Sequence, residues 1–177
     1  MKKITFLATT LLFLISCGSG KSFRSFFNTY KNDMGVTAFQ VPNFMMSLAK
    51  NISPEINNLL GNVNDFKFIT FGEVSQAKQA QIIQDINAVT ANNFTDILRS
   101  NQLEKTKIVS VKEKGDFVSQ AIIFNSTKEK TTVFYLKGNF DPNRIKTLSE
   151  TNQFEKLSSK LSQNYQFSLK TPGFINK

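Results

Sequence analysis

The sequence predicts an α+β fold: an antiparallel sheet of about five strands, with helices packed on one face and the other face partly solvated. Three observations support this prediction. Apolar residues recur at helical spacing through much of the first hundred residues. Strand patterns with short links cluster between residues 108 and 140 and predict a three-stranded meander. A further helical pattern closes the domain after residue 141.

The first hundred residues predict mainly helices. The earliest helix carries one aromatic stripe, formed by Phe23, Phe26, Phe27 and Tyr30. A longer helix over residues 75–91 has an apolar face of isoleucine and valine side chains. The remaining elements of this half are helical segments at 43–49, 54–60 and 94–98 and strands at 36–41 and 66–71.

The second half predicts three strands, at 108–114, 117–124 and 131–140. Lys114–Gly115–Asp116 has the composition of a turn, and residues 125–130 form a polar loop. Asp141–Pro142 then provides a cap and a first-turn proline for a closing helix that runs to about residue 161. Residues 164–177 predict a loosely ordered tail.

The N-terminus predicts export and lipid attachment at Cys17, the only cysteine. Two lysines precede an apolar run over residues 4–15, and Leu14-Ile15-Ser16-Cys17 resembles the lipobox of bacterial lipoproteins, whose cysteine is acylated. The run of twelve residues is too short for a transmembrane helix, which would need about 20 apolar residues. An ordinary cleavage site would prefer a small residue where Leu14 stands, and a chance buried cysteine would leave this combination of features unexplained.

These features divide the chain into a lipoprotein signal peptide (1–16), an acylated cysteine with a short tether (17–22), a single α+β domain (23–163) and the tail (164–177). Gly18 stands where an aspartate often retains lipoproteins at the inner membrane, and no acidic export tag follows Cys17. We therefore expect a membrane-anchored protein, modified with acyl chains such as palmitate, at the periplasmic face of the outer membrane.

The chain is basic. Removal of residues 1–16 takes away two lysines and no acid, so the formal charge falls from +9 to +7. No nucleic acid partner is expected, because an exported protein rarely meets nucleic acid and because the charge is dispersed. The densest group of lysines, over residues 104–114, is interrupted by Glu104 and Glu113. It predicts a solvated strand face, with attraction to anionic envelope surfaces such as phospholipid headgroups as the alternative.

The residue types needed for common catalysis are sparse. The chain contains no histidine, which removes the commonest general base and the commonest zinc ligand. The carboxylates are scattered, and several suit local roles: Asp116 in a turn, Asp141 as a cap and Asp85 on the polar side of a helix. We predict no catalytic residue, no metal site and no cofactor. A hydrolase whose fold brings two carboxylates together stays as an alternative.

Several segments resemble a known family. They are Phe26–Tyr30, Gly35–Thr37, Val109–Asp116, Ala121–Phe124 and Val133–Asp141. Over residues 23–161 the chain is similar to the domain-of-unknown-function 4252 family of exported bacterial proteins. The resemblance implies export, in agreement with Cys17. It implies no activity and no catalytic residues, because the family has none established.

The leading functional hypothesis is a non-catalytic binding module whose partner is another envelope component, such as an envelope protein. The stripe of Phe23, Phe26, Phe27 and Tyr30 admits two interpretations, core packing or an apolar groove for a lipid, a peptide or a partner helix. The strand over residues 131–135 is a second candidate surface if it lies at an open sheet edge. A lipid or small-molecule carrier with an apolar pocket is the second hypothesis.

Overall fold

The structure, a computed structural model, describes residues 20–42, 54, 57, 58 and 62–170. Cys17, the predicted helix over 43–49 and most of the predicted helix over 54–60 lie outside these residues. The described ranges contain four helices and six strands: α1 (Phe23–Tyr30), β1 (Val36–Gln40), β2 (Val63–Phe71), α2 (Gln76–Thr90), β3 (Thr95–Gln102), β4 (Lys105–Lys114), β5 (Phe117–Thr127), β6 (Thr131–Phe140), α3 (Pro142–Glu150) and α4 (Gln153–Lys170).

The six strands form one antiparallel sheet in the order β1-β2-β6-β5-β4-β3. The α+β class and the antiparallel sheet are therefore confirmed. Strands β3 to β6 follow one another as a meander, so the meander has four strands where three were predicted. Because β6 lies between β2 and β5, residues 131–135 do not form an open edge, and the second candidate surface is ruled out.

The additional strand is β3, which occupies the segment predicted as helical over residues 94–98. A β-bulge between Asp96 and Leu98 interrupts its pairing with β4. Ile97 and Leu98 consequently both pack against the same apolar core, although they are adjacent in sequence. Because the apolar residues of this strand do not alternate strictly with polar ones, their spacing is similar to that of a helix. This spacing explains the helical prediction over residues 94–98.

Helices cover both faces of the sheet, which corrects the prediction of helices on one face only. The first face carries α3 and α4, whose Ile145, Leu148, Phe154 and Leu157 pack on the sheet. The second face carries α1 and α2. The alternation within β5 shows the division, because Ala121 and Ile123 belong to the first core and Ile122 and Phe124 to the second.

Caps and turns hold the helices and strands in place, and those at Asp141 and Gly115 were predicted from the sequence. Ser75 caps α2 by accepting a hydrogen bond from the Lys78 backbone, and Asp141 caps α3, which begins with a proline. Gly115 makes the β4–β5 turn with a φ of +64°. The closing helix predicted to run to about residue 161 is divided into α3 and α4, which end and begin on either side of residues 151–152. Helix α4 continues to Lys170, into the segment over 164–177 that was predicted as a tail. No helix in the described ranges is both long enough and apolar enough to span a bilayer.

Candidate functional site

The aromatic stripe of α1 belongs mostly to the core of the second face. Phe23, Phe26 and Tyr30 are only 5%, 3% and 1% exposed, and Phe27 is half-buried. The Phe26 and Tyr30 rings lie 5.0 Å apart, and Tyr30 meets Phe71 of β2 edge-on at 5.3 Å. The core-packing interpretation therefore describes these residues. The alternative, an apolar groove beneath α1, is corrected because the rings already fill that space.

A cavity of about 480 Å³ opens where the sheet extends beyond the N-terminal end of α1. Its floor is built from two rows of neighbouring residues across the sheet. One row runs through Gln40, Lys67 and Tyr135. The other row runs through Asp65, Lys137, Gln120 and Lys112. We call it the cationic cavity, and its charged lining residues are Lys21, Arg24, Asp65, Lys67, Lys112 and Lys137.

The sequence builds this floor by the same change of polarity in four neighbouring strands. Side chains two residues apart on a strand face the same side of the sheet. On the side covered by α1 and α2, each strand is apolar beneath the helices and becomes polar beyond them. The changes run from Ile69 to Lys67 in β2, from Val133 to Lys137 in β6, from Phe124 to Gln120 in β5 and from Ile108 to Lys112 in β4.

The charged lining of the cavity has an excess of positive charge, with five cations and one acid. Lys67 forms an ion pair with Asp65, and Lys21 forms one with Asp85 at 2.5 Å. Arg24, Lys112 and Lys137 form no ion pair with any residue that the structure describes. These three cations are therefore available to an anion, and the walls of the cavity strengthen their field relative to a flat surface.

Tyr135 gives the floor an aromatic ring with a hydroxyl group at its edge. The ring stacks on Phe23 with centroids 4.7 Å apart, and its hydroxyl donates to Gln120 Oε1 at 3.2 Å. Burial, assisted by the negative charge of Asp65, raises the pKa of Tyr135. The hydroxyl consequently stays protonated at neutral pH and can act as a hydrogen-bond donor.

Lys21 and Ser22, at the described end of the predicted tether, line this cavity. Lys21 Nζ donates to Asp85 Oδ1, and the buried Tyr30 hydroxyl donates to Asp85 Oδ2 at 2.7 Å. Burial acts to raise the pKa of Asp85, but the hydrogen bonds from Lys21 and Tyr30 outweigh burial and lower it. The Asp85 carboxylate therefore joins the tether, α1 and α2 in one network.

Gly20 lies against the turn that follows α2. A Cβ atom at this residue would lie 2.8 Å from Asn92 Cγ, so a larger residue here would require the Asn92 side chain to move.

A smaller cavity of about 270 Å³ lies between α4 and the sheet, next to Phe134 and Phe154. Its polar groups are only partly paired. Asn125 Nδ2 donates to Glu155 Oε1 at 3.2 Å, and Lys107 Nζ lies 3.6 Å from the same oxygen, whereas Asn125 Oδ1 and Glu155 Oε2 are buried without a hydrogen-bond partner among the described residues. The cationic cavity is larger and carries three cations without an ion pair in the described chain, so it is the better candidate for binding a ligand.

The carboxylates singled out in the sequence take local roles. Asp141 caps α3, Asp85 holds the tether network, and Asp116 lies exposed in the β4–β5 turn. Among the described residues, no group of three or more histidine, cysteine, aspartate or glutamate side chains is arranged to hold a metal ion.

Sequence reasoning missed the cavity. It assigned Lys112 to a lysine cluster on a solvated strand face, with attraction to anionic headgroups as the alternative, and it gave Lys137 no ligand role. The polar positions two residues apart were visible, but only the strand order brings them together.

Comparison with known proteins yields one match. The model of a family described as a domain of unknown function (DUF4252) matches residues 30–148, about two thirds of the chain. The matched span contains all six strands and therefore both rows of the cavity floor, whereas Lys21 and Arg24 precede it. No curated protein and no solved structure matches the chain.

Proposed function

The chain belongs to the DUF4252 family of domains of unknown function, and on this premise we propose a non-catalytic, lipid-anchored cell-envelope protein that binds another envelope component through its α+β domain. In this proposal Cys17 carries the lipid, residues 18–22 form the tether, and the cationic cavity is the binding site. One observation carries the proposal: Lys21 and Ser22, at the end of the tether, line the cavity themselves.

Chain geometry ties the cavity to the membrane. Four peptide units separate Cys17 from Lys21, and a fully extended chain covers at most about 3.6 Å per residue. The acylated residue would therefore lie within about 14 Å of the mouth of the cavity. A binding partner in the cavity would be a molecule in the membrane surface or one held next to it.

The outer membrane, with the domain facing the periplasm, is the proposed location. Gly18 in place of a retaining aspartate supports transfer to that membrane. We expect the domain to resist added protease in intact cells and to be digested after the outer membrane is permeabilised. Digestion in intact cells would contradict this orientation.

The charge of the cavity favours a binding role over a carrier of apolar cargo. Its volume falls in the range of small-molecule sites, about 300–1,000 Å³. Its lining, however, places unpaired lysine and arginine side chains where an apolar molecule would have to displace their water. An anionic partner replaces the lost hydrogen bonds to water with ion pairs and charge-assisted hydrogen bonds.

The anchor is tested by labelling cells with palmitate. Cys17→Ala should abolish incorporation of the label, because the acylated thiol is absent. Ser16→Ala is the matched control, since it keeps a small residue before the cysteine and should be labelled like the wild type. Label on the Cys17→Ala protein would overturn the anchor.

The binding role is tested by crosslinking the mature lipoprotein in its own envelope. The double substitution Lys112→Gln and Lys137→Gln removes two unpaired cations from the cavity. The control pair, Lys146→Gln and Lys156→Gln, removes the same charge from exposed positions of α3 and α4 on the other face. We expect a crosslinked species that the cavity pair reduces and the control pair leaves unchanged. Equal crosslinking by all three proteins would contradict the role of the cavity.

A further inference from the structure

We infer that the cationic cavity binds the phosphate group of an anionic phospholipid headgroup. The phosphate chemistry follows from the cavity alone, while the membrane as its source rests on the proposed lipid anchor. The inference deepens the proposed function by naming the class of ligand.

The arrangement of cations suits a single phosphate group. Lys112 and Lys137 lie in the same cross-strand row, on either side of Gln120. Two strand spacings, about 10 Å, separate their backbones. Flexible four-carbon stems allow two lysine ammonium groups at this separation to converge on one anion between them. Phosphate oxygens accept charge-assisted hydrogen bonds from such groups.

Asp65 is the one acid in the lining. Its Oδ2 pairs with Lys67, whereas its Oδ1 is buried without a hydrogen-bond partner among the described residues. The ion pair with Lys67 offsets the charge of Asp65, so the lining keeps a net positive charge. Arg24, at an exposed position of the first turn of α1, adds a planar guanidinium group to the unpaired lysines. A guanidinium group can bind two phosphate oxygens at once.

The neutral polar side chains favour a phosphate that is esterified to a polyol. Gln40, Asn92 and Gln120 line the same cavity. Their amide groups can both donate and accept hydrogen bonds, as hydroxyl groups do. A phosphoglycerol headgroup combines one negative charge with hydroxyl groups, and it therefore matches the cations and the amides together.

The position of the cavity favours a headgroup over a free metabolite. The polar headgroup layer of a bilayer is about 5–8 Å thick on each side, and the tether places the cavity within about 14 Å of the acylated cysteine. Phe117, the first residue of β5 and the pairing partner of Lys114, is 36% exposed at this end of the sheet.

Native mass spectrometry of the mature acylated protein tests the inference. The protein is released from non-ionic detergent micelles that contain equal amounts of phosphatidylglycerol and phosphatidylcholine. We expect the wild type to retain phosphatidylglycerol in preference to phosphatidylcholine. The cavity pair of substitutions, Lys112→Gln with Lys137→Gln, should weaken this retention about tenfold or more, since each lost charge-assisted hydrogen bond contributes about that factor. The control pair, Lys146→Gln with Lys156→Gln, should retain the lipid like the wild type.

Calorimetric titration with glycerol 1-phosphate and with inorganic phosphate separates the two possible sources. Saturable binding of glycerol 1-phosphate that the cavity pair abolishes supports the inference. Binding of inorganic phosphate without selective retention of phosphatidylglycerol would overturn the headgroup as ligand. Equal loss of lipid by the two pairs would assign retention to general surface charge and would also overturn the inference.

The variants are expected to fold, because neither Lys112 nor Lys137 forms an ion pair within the described residues. Arg24→Gln is a second test at an exposed helix position and should weaken lipid retention in the same direction. Failure of these binding tests would leave palmitate labelling and envelope crosslinking unaffected, so it would be distinguishable from failure of the proposed function.

Discussion

The Asp85 carboxylate holds the tether against the domain, and Asp85→Asn tests this connection. The substitution keeps the size of the side chain and one oxygen acceptor, but it removes the negative charge. In the structure, this charge is approached by Lys21 at 2.5 Å and by the Tyr30 hydroxyl at 2.7 Å. The expected result is a less stable domain with a looser tether.

The size of the effect follows from the two contacts. The side chain of Lys21 is 53% exposed, so its ion pair contributes at most about 1 kcal/mol. The Tyr30 hydroxyl is buried, and a hydrogen bond to a charged acceptor contributes about 1.5–3 kcal/mol, of which a neutral amide oxygen retains a part. We therefore expect Asp85→Asn to lower the free energy of unfolding by about 1–2 kcal/mol.

Urea denaturation followed by circular dichroism measures this loss. With a urea dependence of about 2 kcal/mol per M, the midpoint should fall by about 0.5–1 M at pH 7. The pKa of Asp85 is lowered in the folded protein, so its stabilisation is present above the unfolded pKa, near 4, and is lost as the pH falls through the folded pKa. The difference between wild type and Asp85→Asn should therefore shrink below about pH 4.

The control is Asp116→Asn, which removes a carboxylate from the exposed β4–β5 turn and should leave the urea midpoint unchanged. A difference between wild type and Asp85→Asn that stays constant from pH 7 to pH 3 would refute the role given to the charge. So would equal destabilisation by Asp116→Asn.

Two further predictions concern the sheet and its helices. Gly138→Ala places a Cβ atom 2.0 Å from the backbone oxygen of Asn62, and we expect it to lower the free energy of unfolding by about 1–3 kcal/mol or more. Gly72→Ala, whose Cβ atom would have no contact nearer than 3.7 Å, should leave this free energy nearly unchanged. Phe154→Ala removes a ring that is 2% exposed and should cost about 3–5 kcal/mol in denaturant titration, whereas Phe117→Ala, at the 36% exposed position, should cost less than 1 kcal/mol. Equal stability of the two glycine variants, or of the two phenylalanine variants, would contradict the packing described.

Local signals predicted most of the elements. The sixth strand, β6, begins and ends where the sequence predicts, because a run of β-branched and aromatic residues is bounded by a polar loop and by the Asp141 cap. Helix α2 spans Gln76–Thr90, close to the predicted 75–91, because its apolar residues recur at helical spacing. The bulged strand β3 was missed because the bulge removes the alternation by which strands are recognised.

One signal in the sequence does indicate that helices cover both faces of the sheet. Ala121 to Phe124 is an unbroken apolar run, and all four side chains are at most 2% exposed. Such a run is typical of a strand with helices on both sides. The cationic cavity could not be found in this way, because its floor combines one or two residues from each of five strands. The predicted meander already makes β4, β5 and β6 neighbours, but local patterns determine neither the register that places Lys112 and Lys137 in one row nor the pairing of β2 with β6.

The central claim is that the cationic cavity meets the membrane surface beside the anchor. The most direct measurement places a photocrosslinking amino acid at Gln120, on the floor of the cavity, and at Lys146, on the opposite face, in living cells. Mass analysis of the crosslinked protein should find a phospholipid adduct for the probe at residue 120 and none for the probe at residue 146. Absence of lipid at residue 120, or equal amounts at both residues, would contradict the account.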